Sequence, residues 1–308
     1  MTSLVLKERY DVHIAVPYRL DLTVSVLRRL STNIVDVFTR QGEYVRALAG
    51  FRDPVVARVA QTRPDALAVT IEGAAAEHVQ ALAIVRRMLG VDRDLSHFDR
   101  AAKGVPWLRL LASRMRGVKP PRYPTLWEAC VNAIVFQQVS LVAASSILRR
   151  MIVALGAPIE RDDIALRVFP SIESFQGVSD DVLRSAGLSA NKLGALRRVA
   201  DALLSRALDE ASLEERPSPE AAALLGRIKG IGPWTATVIL LRGLGRLDVF
   251  PMNDTSVASN LAFVGGTIAP IDVGPVLAAL GPQRGMLYYH LLLARLEARG
   301  EVGRASVT

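Results

Sequence analysis

The segment Leu225-Gly226-Arg227-Ile228-Lys229-Gly230-Ile231-Gly232-Pro233-Trp234-Thr235-Ala236 constrains this chain more than any other. Two glycines around one aliphatic residue, then proline, describe a tight turn between two helices. Gly230 suits a left-handed end to the first helix, and Pro233 suits the first position of the second. The turn leaves backbone N–H groups without intrahelical partners at the positive end of a helix dipole, which makes an anion site. With a formal net charge of +8, the natural anion is a nucleic-acid phosphate, because Lys and Arg release counterions from that backbone. Taken alone, the Gly-x-Gly pattern also fits any helical corner, and many basic proteins bind no nucleic acid.

The chain has 308 residues, 50% hydrophobic and 22% charged. That length is comfortable for two domains with ample core. No apolar run reaches the length of a membrane span, and the start, Met1 to Arg9, is too short and too charged for a secretory signal. A cytoplasmic protein, a monomer with no membrane contact, is expected. The single cysteine, Cys130, sits among apolar residues and reads as core. His13, His78, His97 and His290 show no ligand spacing, so no metal is assigned to side chains.

Residues 10–71 read as strands and turns, with alternation at Arg19-Leu20-Asp21-Leu22-Thr23-Val24 and Val55-Val56-Ala57-Arg58-Val59-Ala60. Leu67 to Ile71 is a third strand, closed by Glu72-Gly73. Residues 74–89 carry a helical stripe of Val79, Leu82, Val85 and Leu89. From Asp92 the pattern is almost wholly helical. Thr125 and Glu128 form a capping box, and the helical run 126–155 is expected to break near Phe136 to Ser140, with Ser140 as a new N-cap. Further helices are expected at 180–186, 192–207, 219–229, 233–244, 255–264 and 285–297. The fold class is α+β: a small antiparallel-sheet domain over 1–90, then an all-helical domain over 91–308 carrying the hairpin at about 219–244.

The hairpin, Trp234 and the downstream Asp248-Val249-Phe250-Pro251-Met252-Asn253-Asp254 together resemble the helix-hairpin-helix DNA glycosylase superfamily, and within it the 3-methyladenine DNA glycosylase II family. The resemblance covers about 126–297 well. It covers the N-terminal part loosely, where it implies a sheet of the TATA-binding-protein kind. It implies a base excision repair enzyme that flips alkylated purines out of double-stranded DNA and hydrolyses their glycosidic bonds. An enzyme for deaminated or oxidised bases, or a non-catalytic damage-binding protein, are the alternatives. Lacking four cysteines, the chain cannot carry the iron–sulfur cluster of some relatives.

The family's catalytic carboxylate corresponds to Asp254, where it would stabilise an oxocarbenium ion; the same residue also fits a helix N-cap. Lyase members carry a lysine two residues after the second hairpin glycine; Trp234 stands there, implying no lyase activity and a wall of the base pocket. Val26, Val238 and Leu292 occupy the positions of further pocket aromatics, and each equally suits plain core. With aliphatic walls, stacking weakens, so cationic bases should leave fastest and neutral hypoxanthine slowly. Gly230, Gly232, Thr235 and Lys229 fall at the phosphate grip, with Arg242, Arg246 and Arg284 as further cations. Gln138 matches the side chain that fills the gap left by a flipped base, supported by Gln137. The family also implies a monovalent cation, Na+ or K+, on the carbonyls of Gly226, Ile228 and Ile231; no other cofactor is expected.

Overall fold

The computed structural model describes residues 5–162, 164–252, 255–265 and 271–306. The first part consists of β1 (Val5–His13), α1 (Leu20–Arg28), β2 (Val37–Phe38), β3 (Tyr44–Leu48), β4 (Val55–Arg63), β5 (Ala66–Ala74) and α2 (His78–Leu89). The strands form an antiparallel sheet in the order β1-β5-β4-β3-β2. In the register, Val69 of β5 stands between Tyr10 of β1 and Val59 of β4. β5 continues through Glu72 and Gly73 to Ala74, past the expected closure.

The stretch expected to be a strand at Arg19 to Val24 is instead α1. The reason is that α1 feeds two cores at once. Leu20, Val24 and Leu27 face the sheet, while Leu22 and Val26 face the helices that follow. Each set repeats at helical spacing, and the two interleaved sets imitate a period of two. In α2 three members of the expected stripe, Leu82, Val85 and Leu89, pack on the sheet, and Val79 does not. Val79 is 80% exposed, and Ala81 and Met88 pack on the sheet as well. Gly90 ends α2 in the left-handed conformation, φ +58°.

The second part runs α3 (Ser96–Lys103), α4 (Pro106–Arg114), α5 (Leu126–Val135), α6 (Leu141–Leu155), β6 (Pro158–Arg161) and β7 (Ile164–Arg167). It continues with α7 (Ile172–Gln176), α8 (Asp180–Ser185), α9 (Ala190–Leu204), α10 (Glu210–Glu214) and α11 (Ser218–Gly226). It ends with α12 (Pro233–Arg242), α13 (Thr255–Gly265), α14 (Gly274–Leu280) and α15 (Met286–Ala298). The hairpin β6–β7 departs from the all-helical expectation. Its Leu166, with Val168 just beyond, covers the sheet face opposite α1 and α2 by packing on Val37, Val45, Ala47 and Val56. Apolar residues are therefore needed on both sides of β3, which is buried along its whole length.

The expected break falls between α5 and α6. Ser140 caps α6 by accepting from the Ala143 N–H at 3.2 Å. Thr125 caps α5 by accepting from the Glu128 N–H at 3.2 Å. The other half of the capping box is diverted, because the buried Glu128 carboxylate pairs with Arg46 of β3. Arg46 also binds Asp36 at 2.6 Å, and Tyr44 donates to Asp36 at 2.7 Å. This buried set joins sheet to helix. The chain end returns as well: Ser31 N–H donates to Glu301 at 2.7 Å, and Ser306 N–H to the Phe38 carbonyl at 2.7 Å. Among the described residues, no helix is long and apolar enough to cross a membrane.

Candidate nucleic-acid interface and base pocket

The hairpin forms as its sequence requires. Gly230 has φ +106°, and a Cβ there would stand 2.5 Å from the Ala195 Cβ on α9. Backbone conformation and packing both demand glycine at this position. Gly232 differs. It caps α12 with φ −84°, is exposed, and a Cβ would meet nothing within 4 Å. The fold makes no demand for glycine there, which leaves room for a ligand to approach the backbone at the N-terminus of α12. Pro233 occupies the first position of α12.

Neighbouring side chains brace the turn. Arg198 donates to the Lys229 carbonyl at 2.8 Å, while the Lys229 side chain is exposed. Gln137, in the α5–α6 break, donates to the Gly230 carbonyl at 3.0 Å and to Thr235 Oγ1 at 2.7 Å. Gln137 is thus a brace between loop and hairpin rather than a group presented to solvent. Thr235 is buried with its hydroxyl engaged, so only its backbone N–H remains for an anion. Gln138 is exposed beside the hairpin with φ +54°, and the neighbouring Val139 is exposed as well.

The basic residues offered for phosphates mostly serve other ends. Arg242 is 1% exposed, and its Nη2 donates to the Val26 carbonyl at 2.8 Å, which removes it from any surface. Arg246 holds the C-terminal end of α10 through the Leu213 and Glu214 carbonyls at 2.8 and 3.0 Å. Arg284 donates to the Gly281 carbonyl at 2.8 Å. Lys229 alone of these is an exposed cation at the turn.

Trp234 is half-buried at the start of α12, packed against the core around α5 and α9. Leu292 of α15 is half-buried on the second core. Val26 and Val238 are fully buried, one in each core, and present no open wall. Asp254 and Asn253 lie outside the described residues; α13 begins at Thr255. For the cation, the donors present are neutral carbonyls. The Ile228 carbonyl accepts the Ile231 N–H at 2.9 Å and keeps its second lone pair. Such a set fits a monovalent ion, and among the described residues no group of His, Cys, Asp or Glu could hold a metal.

The sequence reading missed a polar cluster beneath this region. The guanidinium of Arg29, which follows α1 with φ +63°, lies 3.6 Å from the Phe136 ring centroid. Arg242 lies 4.8 Å from the Tyr123 ring, and the Tyr288 phenol stands beside both arginines. Burial pushes the Arg29 guanidinium below its usual range. The one legible signal was Arg242 itself, spaced from Trp234 and Val238 so as to share their face of α12.

Residues 131–269 match the family described as "HhH-GPD superfamily base excision DNA repair protein". The chain is 35% identical over 176 residues to the probable bifunctional transcriptional activator/DNA repair enzyme AlkA of Mycobacterium tuberculosis, covering 56% of this chain and 34% of that protein. It is 28% identical over 177 residues to the DNA-3-methyladenine glycosylase of Bacillus subtilis, covering 58% of each. The chain thus spans between a third and three-fifths of the length of these two curated relatives. The 3-methyladenine DNA-glycosylase from Archaeoglobus fulgidus shares the fold, with a TM-score of 0.78 over 92% of this chain and 97% of that one, at 23% identity.

Proposed function

We propose, for a chain whose residues 131–269 match the HhH-GPD superfamily of base excision DNA repair proteins, that it is a DNA glycosylase hydrolysing alkylated purines out of duplex DNA. The observation that carries this reading is the open Gly232 at the head of α12, a phosphate seat, with Trp234 two residues on. The N–H groups of that turn hold one backbone phosphate, and Lys229 adds charge beside it. A monovalent cation on the carbonyls of Gly226, Ile228 and Ile231 would add attraction for that phosphate. Gln138, exposed at the break next to the hairpin, fills the space a flipped nucleotide leaves. The base lies against Trp234 and Leu292.

Asp254 acts on the sugar. As the N-glycosidic bond breaks, its carboxylate stabilises the positive charge on C1′ and orients the water that adds there. With Trp234 where lyases keep a lysine, the product is an unbroken abasic strand. Incubation with alkylated DNA, with released bases identified by mass spectrometry, tests the reading. The expected result is free alkylpurine together with a strand that breaks only after alkali treatment. No released base from any damaged DNA refutes it, and covalent trapping on DNA by borohydride refutes the hydrolytic part.

A further inference from the structure

Arg29 is 6% exposed and Arg242 is 1% exposed, yet each keeps hydrogen-bond donors unused. Arg29 Nη1 and Arg242 Nε and Nη1 are buried without an acceptor. Among the described residues neither guanidinium has a carboxylate as ion-pair partner; aromatic rings surround them instead. Two neighbouring buried cations with unpaired donors cost stability, and an acceptor brought from outside relieves both the unpaired donors and the repulsion. Their placement indicates where that acceptor comes from. Arg242 lies eight residues after Trp234 on α12, and Tyr288, which stands beside both arginines, lies four before Leu292 on α15. Arg242 thus shares a face of α12 with Trp234, and Tyr288 a face of α15 with Leu292, the two half-buried side chains against which the base lies. Helical side chains lean toward the N-terminus, so Arg242 reaches back toward Val238 and Trp234.

The geometry points to Arg29 and Arg242 as the floor of the base pocket, determining specificity for purines that carry a 6-oxo group. This rests on the glycosylase reading above. A purine whose sugar is held at the pocket mouth turns its C6–N1 edge, the edge farthest from N9, toward the floor. A 6-oxo oxygen has two lone pairs and accepts from both guanidiniums; a 6-amino group meets those donors with hydrogens of its own. The floor also acts on the leaving group. When the C1′–N9 bond breaks, its electron pair stays with the purine, and part of the charge reaches O6 beside the two cations. Water then gives hydroxide to C1′ and a proton to the base. Aliphatic walls alone would order substrates by intrinsic lability, with hypoxanthine last; this floor raises 7-methylguanine and hypoxanthine relative to 3-methyladenine.

The test is single-turnover release of these three bases from defined duplexes by the wild-type chain, Arg29→Met and Arg242→Met. Both variants should lose about 10-fold or more on the two 6-oxo bases and less than about 3-fold on 3-methyladenine. Equal losses on all three bases would assign the arginines a purely structural role and overturn the inference. Because Arg242 also holds the Val26 carbonyl, a second arm needs no variant. The wild-type chain should bind a duplex bearing uncleavable 2′-fluoroarabino hypoxanthine about 10-fold tighter than one bearing the adenine counterpart opposite the same spacer. Equal or reversed affinities overturn the inference while leaving the glycosylase reading intact. Failure of the wild-type chain to release any base refutes that reading itself.

Discussion

Thr235, buried in the first turn of α12, accepts at 2.7 Å from the side-chain amide of Gln137 in the α5–α6 break. The loop that carries Gln138 is therefore fixed to the hairpin by its neighbour. Gln137→Ala should weaken binding to damaged and undamaged duplex alike, because it frees both segments proposed to contact DNA. Gln138→Ala should weaken binding to an abasic-site duplex more than to undamaged DNA. Fluorescence anisotropy on the two duplexes separates the cases, and identical patterns for both variants would remove Gln138 from the gap-filling role.

The hairpin glycines should respond oppositely to the same methyl group. Gly230→Ala combines a positive φ with a 2.5 Å approach to Ala195, and should cost about 2 kcal/mol or more. Gly232→Ala has open space and an ordinary φ, so stability should change by less than about 0.5 kcal/mol. Its cost should instead appear in duplex affinity. Wild-type affinity in a folded Gly232→Ala protein would exclude the turn as the phosphate seat.

Asp254→Asn keeps size and removes charge. Base release should fall by about 100-fold or more, as loss of one strong electrostatic stabiliser does, with duplex affinity nearly unchanged. Rapid-quench measurement of the first turnover gives the comparison. An undiminished rate would show that another group carries the sugar cation.

Stability should fall on the acid side because of His290. Its ring is buried, stacks 4.5 Å from Phe98 and donates from Nδ1 to the Met286 carbonyl at 2.8 Å. Burial lowers its pKa to about 4 from an unperturbed 6.5. The unfolded chain thus takes up a proton below pH 6.5 that the folded chain refuses, so stability declines as pH falls from 6.5 toward 4. Between pH 6.5 and 5 this single group removes about 2 kcal/mol. Urea unfolding at pH 7 and 5 should show the drop, and His290→Gln should shrink it. A drop unaltered in the variant would place the acid sensitivity elsewhere.

The hairpin, the N-caps of α5 and α6 and the strands β4 and β5 were legible because each is encoded locally. Glycine, proline and capping hydroxyls act within a few residues of themselves. What escaped depends on partners far along the chain. The α1 segment imitates a strand because residues from two distant regions bury its two sides. The β6–β7 hairpin is called for by the back of the sheet, about a hundred residues earlier in the chain. Arg242 looked like a surface cation because nothing near it in sequence reveals Tyr123 and Val26 around it.

Both cores take side chains from α1 in roughly equal share. A fragment starting after Gly90 would leave the cleft now closed by Leu22 and Val26 open to water, with no surface of its own to heal it. The last segment, reaching back to Ser31 and Phe38, fastens the same seam from the opposite end of the chain. Heating should therefore give one calorimetric peak for the entire chain, and proteolysis near residue 90 should yield no durable half.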